Sequence, residues 1–222
     1  MVITRLADIS LVYIDDDLLV LEKPCGLLSV PGRGDDKQDC LSLRVQQRYP
    51  DARVVHRLDM ATSGLMVMAR SPLAQRKLNC AFSSRMIHKR YEAVVDGIAL
   101  LPTTSKPEDW QEIDLPICLD WPNRPRRIID VRQGKPSQTR RRVISLDIAQ
   151  QTSRIALEPV TGRSHQLRVH LLAIHHPILG DTLYAPASAV AKSQRLLLHA
   201  TQLDFVHPLS QQPVQFVSPA PF

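Results

Sequence analysis

Apolar positions along this chain fall into short blocks separated by Pro, Gly and acidic residues, and the period of each block predicts an element. Leu11–Ile14 and Leu18–Leu21 flank Asp15-Asp16-Asp17, which predicts a hairpin or bent strand around an acidic turn. Leu65–Ala69 is a continuous apolar run behind the polar turn Thr62-Ser63-Gly64, predicting a buried strand with a loop in front of it. Leu41, Val45 and Tyr49 recur at four-residue spacing, predicting a helix capped by Asp39 and stopped by Pro50. Ser71-Pro72 opens a second predicted helix, reaching about Arg85, with Leu78 and Phe82 on its apolar face. Lys89–Gly97 alternates as a strand, and Thr139–Asp147 with Arg154–Pro159 predict an antiparallel hairpin. Leu167, Leu171 and Ile174 predict a helix capped by Ser164. Leu196–Ala200, Leu203–Val206 and Val214–Val217 predict three more strands.

Residues 99–112 and 185–194 are loop-like, and neither a repeat nor a flexible linker divides the chain. A single α+β domain over residues 1–222, mostly antiparallel, is the expectation. Composition is that of a globular protein, and no stretch approaches the roughly 18 consecutive apolar residues of a membrane span. The first residues lack a signal peptide's basic-then-apolar layout, so a soluble, cytoplasmic protein is expected, with a monomer as the default and the oligomeric state open. Charge changes the picture more. A net charge of +6 favours a polyanionic partner, because neutralising phosphates releases counterions.

Candidate chemistry concentrates in two stretches. Val54–Arg70 carries His56, Arg57 and Asp59 just ahead of the Ser-Gly turn, so Asp59 sits in a loop backed by a rigid strand. An Arg-x-Asp loop is also how structural ion pairs are carried. Thr161–Leu171 places Arg163 at a predicted strand-to-helix junction, where a guanidinium and free N–H groups can hold an anion. Pro116–Arg127 interleaves Trp121 with Arg124, Arg126 and Arg127, suiting either RNA stacking or plain packing with solvated arginines. The run Arg140-Arg141-Arg142 reads as an exposed basic strand face. Asp15–Asp17 and His175-His176 read as turns, although they leave a metal-dependent hydrolase open for test. The four cysteines, Cys25, Cys40, Cys80 and Cys118, lack metal-site spacing and are expected to be reduced and mostly buried. Gly32-x-Gly34 lacks the third glycine of a dinucleotide fingerprint, so no nucleotide cofactor and no metal are expected.

Taken together, several motifs resemble the RluA-type pseudouridine synthases. They are His56-Arg57-Leu58-Asp59 with Thr62-Ser63-Gly64, Lys89-x-Tyr91-x-Ala93-x-Val95-x-Gly97, and Thr161-Gly162-Arg163-Ser164-His165-Gln166-Leu167-Arg168. Lys23-Pro24-x-Gly26-Leu27, His176-Pro177-Ile178-Leu179-Gly180-Asp181 and Leu197-Leu198-His199-Ala200 add to them, in family order over nearly the whole chain. Leu28–Arg33, Asp120–Pro125 and Gly134–Pro136 bring the resemblance nearest to members acting on both 23S ribosomal RNA and tRNA. Like those members, the chain shows no N-terminal S4-like domain, while residues 99–112 look longer than the family pattern.

The resemblance implies a mostly antiparallel sheet with the active site in a cleft across it, and isomerisation of uridine in RNA without a cofactor. It implies that Asp59 is the catalytic carboxylate, kept ionised by Arg163, and that Tyr91 stacks on the uracil and helps remove its C5 proton. Leu167 lines the base pocket, and Arg57 fills the stack vacated by a flipped nucleotide. His56 is expected to support the loop at the substrate through hydrogen bonds, and Arg168 and Lys89 either to contact phosphates or to be ordinary surface charge. A non-catalytic RNA-binding module explains the charge equally well but leaves the three active-site residues unexplained.

Overall fold

A computed structural model describes residues 9–100 and 109–222. The strands are β1 (Ser10–Ile14), β2 (Leu18–Lys23), β3 (Arg53–Val54), β4 (Ser63–Ala69), β5 (His88–Asp96) and β6 (Gln111–Asp114). They continue with β7 (Ile117–Leu119), β8 (Arg127–Ile129), β9 (Gln138–Asp147), β10 (Thr152–Pro159), β11 (Leu198–Val206) and β12 (Pro213–Val217). Among the described residues the α-helices are α1 (Leu41–Arg48), α2 (Pro72–Ser83), α3 (Gln166–Ala173) and α4 (Ala187–Ala191), with a 3-10 turn at Asp35–Lys37. The expected α+β class, mixed but mostly antiparallel, is what forms. Contacts divide the chain into two compact units, Met1–Lys89 with His199–Pro221, and Arg90–Leu198 with Phe222.

In the first unit β1, β2 and β4 pair antiparallel, β11 runs parallel beside β4, and β12 returns along β11. Leu18, Val20, Leu65 and Val67 on one face pack with Ala74 and Leu78 of α2. Leu19, Leu21, Met66 and Met68 on the other face pack with Leu41 and Val45 of α1. Cover on both faces is why these strands read as unbroken apolar runs instead of alternating. At Gly64, φ is 111°, and an added Cβ would lie 2.4 Å from the Ala200 carbonyl oxygen, so only glycine lets β11 approach here.

Ser71 caps α2 as predicted, its Oγ accepting from the Ala74 N–H at 3.1 Å with Pro72 in the first turn. Asp39 does not cap α1. Cys40 holds that position, and the Asp39 carboxylate is taken up by two Arg44 nitrogens at 2.8 and 2.6 Å. Asp15 closes the β1–β2 turn by accepting from the Asp17 and Leu18 N–H groups at 2.8 Å each. The C-terminal region forms two strands instead of three, because Thr201 is buried in β11 and does not interrupt it. Of the cysteines, Cys40 is buried, Cys25 and Cys118 are half-buried and Cys80 is exposed, so burial holds for one of the four.

In the second unit the antiparallel order is β5-β10-β9-β6, and β7 pairs with β8. The register sets Tyr91, Leu157, Arg141 and Gln111 in one cross-strand row. Directly paired residues share a face, and residues two apart along a strand do too. Thr139, two residues from Arg141, bonds to Gln166 and His170 of α3, so Tyr91 lies on the α3 face. The arginine run is therefore split: Arg140 and Arg142 lie on the far face with Trp110, their guanidinium carbons 5.3 and 5.2 Å from its ring centre, and Arg141 lies on the Tyr91 face. Trp121 is 65% exposed, with Arg124 stacked 4.5 Å from its ring centre, so the aromatic and basic residues there pair in solvent. Residues 101–108, most of the long stretch singled out above, lie outside the described residues. The rest of that stretch is not all loop, for Gln111 and Glu112 begin β6.

Candidate active site

Asp59 sits half-buried in the loop between β3 and β4, and the main chain on either side of it is fixed by the segment after β2. The Ser29 hydroxyl donates to the Leu58 carbonyl at 2.7 Å and accepts from the Leu58 N–H at 3.0 Å. The Lys23 ammonium, 1% exposed, donates to the Met60, Pro24 and Leu27 carbonyls at 3.0, 2.8 and 2.7 Å. The Gly26 N–H also reaches the Met60 carbonyl at 2.9 Å, and the Cys25 thiol donates to that of Ala61 at 3.0 Å. A buried ammonium is tolerated because carbonyl dipoles replace its hydration. Lys23 and Ser29 are supports of this loop that pattern reasoning alone missed; the signal was a lysine at the end of the strand Leu18–Lys23, directly before Pro-Cys-Gly.

His56 is where β3 gives way to the loop. Its Nε2 accepts from the Val67 N–H at 2.9 Å, taking the place of a strand carbonyl, and its ring stacks on Phe82 at 4.4 Å between centres. Accepting at Nε2 puts the proton on Nδ1 and excludes the cation. Burial, with the nearby Lys89 charge, holds its pKa at about 3. Burial also lowers the pKa of half-buried Lys89. His56 thus shapes the loop, while its neighbour Arg57 is exposed.

Arg163 lies exposed in the loop before α3, its Nε donating to the Pro136 carbonyl at 3.4 Å. One side chain organises that loop. The buried Gln166 amide accepts from the Thr161 hydroxyl at 2.7 Å and the Arg163 N–H at 3.0 Å. It donates to the Gln138 carbonyl at 2.9 Å and the Thr139 hydroxyl at 3.0 Å, so the amide is fully used. Ser164 does not cap α3, since His165 holds that place in the left-handed region at φ 58°. Leu167, on the first turn of α3, is 7% exposed.

Arg168 corrects an expectation. Its guanidinium is 4% exposed and forks onto both Asp181 oxygens at 2.7 and 2.6 Å, with the Tyr184 ring centre 4.9 Å from its guanidinium carbon. A buried, bidentate arginine serves the fold and not a phosphate. His175-His176 forms the turn before Pro177, with His176 Nδ1 3.2 Å from the Asp96 carbonyl. Asp15, Asp17 and His207 come close enough to share an ion. Here, however, His207 Nε2 lies 3.0 Å from Asp15, and its Nδ1 accepts from the Leu209 and Ser210 N–H groups.

Comparison with known proteins converges on one assignment. Residues 17–173 match the family model described as RNA pseudouridylate synthase. The chain is 46% identical over 212 residues to the dual-specificity RNA pseudouridine synthase RluA of Escherichia coli K12, covering 96% of this chain and 93% of that protein. It is 45% identical over 214 residues to the Pasteurella multocida protein of the same name, covering 96% and 94%. Among solved structures, human RNA pseudouridylate synthase domain containing 1 superposes with a TM-score of 0.78 at 30% identity, covering 100% of this chain and 87% of that one. No described helix is long and apolar enough to cross a membrane. The chain belongs to the RNA pseudouridine synthase family, isomerases that make pseudouridine in RNA.

Proposed function

We propose that this protein converts uridine to pseudouridine in both 23S ribosomal RNA and the anticodon stem-loop of tRNA, with Asp59 as the catalytic carboxylate. The observation that carries the assignment of Asp59 is the locked main chain around it, with Leu58 tied to Ser29 and Met60 to Lys23 and Gly26. Such a loop delivers one carboxylate at a fixed place. Dual substrates are supported by the 46% identity to an enzyme that carries that description.

The reaction breaks the bond between the ribose carbon and N1 of uracil, turns the base, and joins C5 to the same carbon. The C5 proton leaves and N1 gains one, so no oxidant or donor group is needed. Asp59 acts on the nucleoside as nucleophile or base, Arg163 serves the reaction as a cation, and Tyr91 stacks on the uracil and assists removal of the C5 proton. The target base is first drawn out of its stack, with Arg57 filling the gap and Leu167 lining the pocket. The chain works as one catalytic domain, in the cytoplasm and as a monomer.

Wild type and Asp59→Ala are incubated with a 23S fragment and a tRNA anticodon stem-loop, and pseudouridine is mapped. Wild type modifies both RNAs, and Asp59→Ala loses at least roughly a thousandfold in rate. Modification of one RNA class alone would narrow the substrate, and retained activity in Asp59→Ala would remove that residue from the chemistry. Binding without modification by wild type would favour an RNA-binding module.

A further inference from the structure

In the row Tyr91–Leu157–Arg141–Gln111, the last two side chains each bring a buried hydrogen-bond donor without a protein acceptor among the described residues: Nη1 of Arg141 and Nε2 of Gln111. They are direct cross-strand partners on β9 and β6, so the orphaned donors belong to neighbouring side chains on one face. That face carries Tyr91 and is covered by α3 at the next level, where Gln166 and His170 bond to Thr139. Strands about 4.8 Å apart put Arg141 about 10 Å from Tyr91 along the row, and Gln111 one strand further. The neighbouring arginines are committed differently: Arg140 pairs with Glu158 on the far face, and Arg140 and Arg142 both stack near Trp110.

Buried donors are almost always paired, and an unpaired guanidinium N–H is among the costliest to leave so. Burial also lowers the pKa of Arg141, as expected of a cation taken partly out of water. What would satisfy both donors is an acceptor rich in oxygen and negative charge, brought to the face that carries Tyr91. The RNA substrate brings such groups at every nucleotide, in its phosphates.

We propose that Arg141 and Gln111 form a phosphate-binding site for a nucleotide neighbouring the target uridine, a site that positions the RNA on the Tyr91 face. The inference rests on the synthase reading above. Its logic is that of a built anion site: one planar cation and one neutral amide, adjacent and each with one donor atom already out of water before the ligand arrives. A single phosphate contact positions the strand without reading sequence, so it serves two different RNAs equally.

The test compares Arg141→Met, Arg141→Lys and Gln111→Leu with wild type on the anticodon stem-loop transcript. Binding is titrated from about 50 to 200 mM salt, and steady-state kinetics are taken at the low end. Arg141→Met is expected to raise Kd and KM roughly tenfold with kcat unchanged. The slope of log affinity against log salt should become shallower by about 0.7 to 0.9. Arg141→Lys restores the slope, and Gln111→Leu raises KM about threefold without altering it. Thermal stability of Arg141→Met should equal or exceed that of wild type, since no hydrogen-bond partner among the described residues is lost at Nη1. An unchanged salt slope in Arg141→Met overturns the proposal, as does a fall in stability that accounts for the whole loss of binding. Binding is read independently of turnover, so an inactive wild type would sink the synthase reading while the slope still decides the phosphate site.

Discussion

Around Asp59 the main chain is fixed from outside, by Lys23 at the end of β2 and by Cys25, Gly26 and Ser29 of the loop after it, whereas around Arg163 it is fixed from within, by Gln166 on the helix that the loop introduces. The first arrangement spreads the restraint over several backbone groups and a buried ammonium. The second gathers it into one amide whose four bonds are all used. The difference fits the burial: Asp59 is half-buried and needs its surroundings ordered, while Arg163 is exposed and needs only its backbone aimed. A restraint shared among many groups fails gradually. One concentrated in a single side chain fails at once.

Breaking the supports in turn sharpens that contrast. The largest effect is expected below the Arg163 loop, where Asp181→Ala strands the buried Arg168 cation and costs about 3–5 kcal/mol. Calorimetry should show the melting temperature falling by roughly 2–4 °C for each kcal/mol, and a change within a degree would show the pair to be dispensable. Lys23→Met takes the ammonium from the Pro24 and Leu27 carbonyls and leaves that of Met60 with the Gly26 N–H, and should cost about 2–3 kcal/mol. Its kcat should fall further than its KM changes, as expected when a catalytic loop loses order, and equal losses in both would point to general unfolding.

Gln166→Leu removes the amide at the Arg163 loop for about 1–3 kcal/mol. It should lower kcat without changing the salt slope of RNA binding, and a changed slope would show that Arg163 is displaced from an anion contact. The last effect concerns pH. His56 is held neutral in the fold, with a pKa of about 3 against 6.5 for a free histidine. The stability that this neutral form contributes is complete above about pH 6.5 and is lost as the pH falls towards 3, by at most about 1.4 kcal/mol per unit. His56→Gln keeps an acceptor for the Val67 N–H and should flatten the acid limb of the stability curve. An unaltered limb would assign the acid sensitivity to other groups.

The sequence made the framework legible where one period dominated. Leu18–Leu21 and Leu65–Ala69 became strands, Ser71-Pro72 capped a helix, and Thr139–Asp147 paired with Arg154–Pro159. Boundaries were lost where a polar residue has two uses. Asp39 pairs with Arg44 instead of capping, and His165 in the left-handed region starts α3 one residue past Ser164. For the site, pattern pointed to Asp59 and Arg163 while resemblance supplied their roles. The supports stayed hidden because Lys23 and Gln166 look like surface residues until tertiary contacts bury them. Arg168 was misread for the same reason: its partner, Asp181, is thirteen residues away and its burial has no local signature.

The parallel contact of Ser63-Gly64 with His199-Ala200 has a consequence for biosynthesis. One unit is continuous in sequence, apart from Phe222, and can fold as soon as Leu198 has left the ribosome. The other closes on a strand made more than a hundred residues after β4, so the Asp59 loop rests on an unfinished sheet for most of translation. Loop closure over that span delays its completion, and the exposed edge of β4 is the place where a nascent chain would pair wrongly. Synthesis of the last strands is thus the event that turns the N-terminal segment into a finished scaffold.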